Sequence, residues 1–61
     1  MKKSLEKIIQ ETIIIDNLVR NLIQDIRVDV DDRDVSLSAC RVLFNITRYL
    51  NEALNILKEE D

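Results

Sequence analysis

Residues 5–26, Leu5-Glu6-Lys7-Ile8-Ile9-Gln10-Glu11-Thr12-Ile13-Ile14-Ile15-Asp16-Asn17-Leu18-Val19-Arg20-Asn21-Leu22-Ile23-Gln24-Asp25-Ile26, decide the fold. Within them Leu5, Ile8, Thr12, Ile15, Val19, Leu22 and Ile26 recur at spacings that alternate between three and four. Residues so spaced stack on one side of an α-helix, so the stripe predicts a helix with one face turned to a neighbour. Ala39, Leu43, Ile46, Leu50, Ala53 and Leu57 repeat the pattern after an acidic interruption. Two seams in 61 residues predict a single all-α domain over 1–61, an antiparallel two-helix hairpin of coiled-coil type. The expected bounds are helices over about 3–28 and 35–60 with a loop over about 29–34.

Composition agrees. The chain is 46% hydrophobic and 34% charged and contains neither Gly nor Pro, the profile of long amphipathic helices and not of disorder. A chain this short buries little of its surface and needs reinforcement. One cysteine precludes an intrachain disulfide, and the absence of histidine argues against zinc. Self-association is the remaining route. The longest apolar run, Ile13-Ile14-Ile15, is far below a membrane span, and Glu6, Lys7, Gln10 and Glu11 interrupt any leader-like core. With a free cysteine, this leads to an expectation of a cytoplasmic protein without membrane contact.

The interruption, Asp29-Val30-Asp31-Asp32-Arg33-Asp34, alternates poor helix formers. Asp34 or Ser36 is the expected cap of the second helix, and Arg27 suits the negative end of the first. The outer ends carry the opposite signs: Lys2, Lys3 and Lys7 start one helix, and Glu59, Glu60 and Asp61 finish the other. An antiparallel hairpin brings these ends together. Pairing about the loop sets Ile26 against Ala39, Leu22 against Leu43, Val19 against Ile46, Ile15 against Leu50, Thr12 against Ala53 and Ile8 against Leu57. The Thr12/Ala53 and Ile26/Ala39 layers are thin, and close-packed interiors do not leave such space empty.

Both helices carry more apolar surface than a hairpin needs. Val35, Val42, Tyr49 and Ile56 form a row spaced by seven, joined on the first helix by Ile14 and Leu18. The other flank holds Ile9, Ile13 and Ile23 with Leu37, Cys40, Phe44 and Leu54. Wide apolar stripes are what bundle helices need, because each touches two neighbours. The expected assembly is a homodimeric antiparallel four-helix bundle joined through Ile14, Leu18, Val35, Val42, Tyr49 and Ile56. Ile13, Leu37, Phe44 and Leu54 are then available to a further protein partner or to tetramer formation.

No catalytic constellation is present: the chain has no histidine and no Gly-rich turn to cradle phosphate. The Asp29-x-Asp31 start of a calcium loop fails at its sixth position, Asp34, and its twelfth, Cys40. Cys40 reads as a small buried residue, and Asp16 as the i,i+4 partner of Arg20. The chain is therefore expected to be a non-enzymatic regulatory or adaptor protein with no cofactor, metal or small-molecule substrate. Two alternatives stand beside this. One is a purely structural oligomerisation module. The other is an RNA-binding bundle using Arg20, Arg27, Arg41 and Arg48 with Asn17, Asn21, Asn45, Asn51 and Asn55 on the outer face. In size, acidity and two-helix layout the chain resembles the Rop-type plasmid copy-control proteins, which are dimeric four-helix bundles. That likeness is architectural and assigns no site residue. The net charge of −3 weighs against long-range attraction to nucleic acid.

Overall fold

The computed structural model describes residues 2–60, with side chains from Ser4 onward. Two helices, α1 (Lys2–Asp29) and α2 (Arg33–Glu60), lie against each other. At a rise of about 1.5 Å per residue each is about 42 Å long, close to the 46 Å extent of the whole hairpin. Among the described residues there is no strand.

The loop is shorter than the alternating Asp/Val pattern implies. Among the described residues only Val30, Asp31 and Asp32 lie outside the helices. The Val30 N–H still donates to the Ile26 carbonyl at 3.0 Å, so α1 runs to its last turn without a left-handed residue. Asp32, not Asp34 or Ser36, caps α2. Its Oδ1 accepts from the backbone N–H of Asp34 at 3.0 Å and of Val35 at 3.1 Å, and its carbonyl takes the Ser36 N–H at 2.9 Å. A short carboxylate immediately before the first turn reaches two orphan N–H groups; Asp34, already inside that turn, is left to complement the dipole.

The helix pairing is displaced from expectation by two residues. The Cys40 thiol donates to the Ile23 carbonyl at 3.9 Å, which sets Ile23 opposite Cys40. Regular rise then sets Asp16 opposite Thr47 and Ile9 opposite Leu54. The expected Thr12/Ala53 and Ile26/Ala39 layers do not form as pairs. The basic and acidic outer ends form no cross-helix ion pair among the described residues: Lys7 pairs along its own helix with Glu11 at 3.9 Å. The side chains of Lys2, Lys3 and Asp61 fall outside the described residues.

Removing the cap, Asp32→Ala, is expected to cost about 1 kcal/mol. Urea unfolding at fixed protein concentration checks this, with Asp34→Ala costing less.

Candidate interaction faces

The seam inside the hairpin is not the most apolar one available. Its buried members are Asp16 and Ile23 on α1 and Cys40, Thr47 and Leu54 on α2, flanked by half-buried Leu5, Ile9, Thr12, Val19, Ile26, Leu43, Leu50 and Leu57. Leu5, Ile9, Thr12, Asp16, Val19, Ile23 and Ile26 keep the alternating spacing, but starting with a step of four rather than three. Ile8, Ile15, Leu22 and Ile46, expected at the seam, are 48%, 48%, 46% and 39% exposed. Relative to expectation both helices are turned by roughly 50°, half of the 100° that separates successive residues. The turn carries Ile9, Ile23, Cys40 and Leu54 from an outer flank into the seam. Leu54 is thus unavailable as a partner contact.

A polar layer occupies the middle of this seam. Arg20 Nε donates to Asp16 Oδ2 at 2.8 Å, the pair expected from the sequence. Asp16 Oδ1 is buried with no partner. The Thr47 hydroxyl donates to the Phe44 carbonyl at 2.7 Å, and Asn51 donates to the Thr47 carbonyl at 2.9 Å. The Thr12 hydroxyl bonds within its own helix, to the Ile8 carbonyl at 2.8 Å. These side chains satisfy themselves locally and leave one carboxylate oxygen to bear its desolvation alone, which weakens the hairpin at its centre.

The displaced residues build one continuous face. Ile8, Ile15 and Leu22 of α1 and Ala39, Ile46 and Ala53 of α2 flank the seam on the same side, because both rows precede it in helical angle and the helices are antiparallel. Val35, Val42, Tyr49 and Ile56 extend the face outward along α2, each more than half exposed. On α2 the combined series 35, 39, 42, 46, 49, 53, 56 is a complete apolar heptad run. The inner rows contain no charged residue; Glu11 and Asp25 stand at the α1 rim beside Leu18, which is 61% exposed. Of the six residues expected at a self-interface, five belong here. Ile14 does not: it lies on the back of α1, half a turn from the seam. Ile8, Ile15, Leu22 and Ile46 belong here in its place. Their signal was the double row of apolar residues on α1, which by itself does not say which row faces inward.

The opposite side collects the arginines. Arg20 and Arg27 flank the seam on α1 with Ile13. On α2, Leu37, Arg41, Phe44 and Arg48 follow a four-three-four spacing and share a face. Near the loop, Arg27, Val30, Asp31, Arg33, Ser36, Leu37, Cys40 and Phe44 line a cleft of about 520 Å³. Leu37 and Phe44 are 56% and 51% exposed there. The Arg48 guanidinium sits 5.6 Å from the Tyr49 ring centroid instead of pairing with Glu52. Asn51 is occupied locally; Asn17, Asn21, Asn45 and Asn55 are exposed.

Cys40 is buried, as its sequence context suggests. Among the described residues no acidic or sulfur cluster is arranged to hold a metal, and no helix is long and apolar enough to cross a membrane. No family model, curated protein or solved structure matches the chain.

Arg20→Ala leaves Asp16 buried without its cation and is expected to cost about 1–3 kcal/mol. The exposed pair gives the contrast, since Lys7→Ala should cost under about 1 kcal/mol. Denaturant titration of both variants at one concentration reads the difference.

Proposed function

We propose that the protein is a non-enzymatic self-association and adaptor module, in which two copies join their apolar outer faces as a homodimeric four-helix bundle. The choice of inner seam carries this reading. A hairpin acting alone gains by burying Ile15 and Ile46 and leaving Asp16 and Thr47 in water. Here the less apolar seam is closed within the chain, and the more apolar one is held outward, where a bundle needs it.

Area favours a second copy as the occupant. The chain exposes 5048 Å². A compact protein of 7.2 kDa would expose roughly 4100 Å². The excess, roughly 900 Å², is close to the roughly 800 Å² that each partner buries in a standard interface. The radius of gyration is 14.3 Å, against roughly 10.5 Å for a compact chain of this length. Stacking two such layers restores a compact shape. The face also suits an isologous contact, with the small residues Ala39 and Ala53 set between larger ones so that facing rows can interdigitate.

RNA binding draws support from the gathering of the arginines on one side. It is opposed by charge, because two copies at −3 each carry a formal −6.

Ile46→Glu and Tyr49→Glu place a carboxylate in the proposed interface. Light scattering at micromolar concentration should show the mass of the wild type halved in both, with loss of helicity. Phe44→Glu, on the opposite side, should leave the mass unchanged. A wild type already at single-chain mass and fully helical, or a tetramer dissolved equally by Phe44→Glu, would refute the assignment of faces.

A further inference from the structure

We infer that the cleft beside the loop, between Arg27 and Arg33 and the exposed side chains of Leu37 and Phe44, is a docking site for a short acidic amphipathic peptide helix. The inference rests on the bundle reading only in that the bundle keeps this side outward.

Four observations converge on it. The cleft holds about 520 Å³, inside the range of roughly 300–1,000 Å³ typical of ligand sites. Its walls are apolar, from Val30, Leu37, Cys40 and Phe44, with two guanidinium groups on both sides of the loop and one carboxylate, Asp31. Neither Arg27 nor Arg33 makes an ion pair among the described residues. Beyond the cleft the same side continues with Ile13, Arg20, Arg41 and Arg48, so that all five arginines of an acidic chain lie on it or at its edge. Arg41 and Arg48 are seven residues apart, about 10.5 Å along the axis. That is the spacing of carboxylates two turns apart on a partner helix.

The pattern selects the ligand. Apolar anchors at helical spacing beside cations fit the helix-in-groove mode of recognition, with Leu or Phe of the peptide against Leu37 and Phe44. Fork-shaped guanidinium groups pair with carboxylates in two-point contacts. A polyanion is less suited than a short peptide, since the net negative charge of the protein opposes it at long range while a few carboxylates meet chiefly Arg27 and Arg33, against the single carboxylate of Asp31.

The test uses a fluorescein-labelled peptide with Leu and Glu at i, i+3 and i, i+4 positions, titrated with the intact chain and followed by anisotropy. Controls are the same peptide with Lys for Glu, and oligouridylate. The expected result is saturable binding of the acidic peptide, weakened roughly tenfold by Phe44→Ala and abolished by Arg27→Glu/Arg33→Glu. The double variant should in turn bind the Lys peptide, which shows that charge reversal and not misfolding removed the first interaction. Equal binding of both peptides by the wild type, no binding at millimolar peptide, or tighter binding of oligouridylate would each overturn the proposal. Light scattering on the same samples reports the dimer separately, so a failed site and a failed bundle give different results.

Discussion

Each helix of this chain has two apolar seams set at an angle to one another, and only one neighbour within the chain. Everything else in the structure follows from that mismatch. A hairpin closes one seam per helix, and the other must stay wet or meet another molecule. The buried apolar set inside the hairpin is small among the described residues: Ile23, Cys40 and Leu54. A buried Ile or Leu contributes up to about 1.5–3 kcal/mol, while ordering a residue costs about 1–2 kcal/mol in backbone entropy. The face carrying Ile8, Ile15, Leu22, Ile46 and Tyr49 holds the larger share of the unspent hydrophobic surface.

The polar layer at Asp16 and Thr47 belongs to the same logic. In the inner seam it costs stability, and the unpartnered Asp16 oxygen makes the cost plain. Buried polar groups are often kept where an apolar alternative would allow several registers. A uniformly Ile-rich α1 slides readily along a Leu-rich α2. One carboxylate tied to Arg20, opposite one hydroxyl, marks the level at which the two helices match. The Asp32 cap and the three-residue loop fix the same register from the other end.

The helical period, the two elements, the antiparallel hairpin, the Asp16–Arg20 pair and the burial of Cys40 were all legible in the sequence. The rotation of the seam was not. Ile8, Ile15 and Leu22 lie beside Leu5, Thr12, Val19 and Ile26 on one flank, and Ile9, Asp16 and Ile23 lie beside them on the other, so the α1 pattern fits two seams equally well. Counting apolar residues favours the first, because no count selects a seam containing Asp16. That criterion fails here because the more apolar rows of the two helices are the ones left outward. The loop was misread for a related reason. Asp29 and Asp34 have weak helix propensity, but three residues suffice to reverse the chain, and both helices gain hydrogen bonds by continuing. Ile14 falls on the back of α1 because a run of three isoleucines covers most of a helical turn, and only the orientation of the neighbour separates Ile14 from Ile15.

If the outward seam is closed by a second copy, folding and association are one process, and stability depends on protein concentration by mass action. Thermal unfolding followed by far-ultraviolet circular dichroism over a thousandfold range of concentration reads this directly. The midpoint should rise with concentration by roughly 15 °C for a dimer of this size. A cooperative transition whose midpoint is the same at every concentration would show that the hairpin is stable alone and would contradict the account.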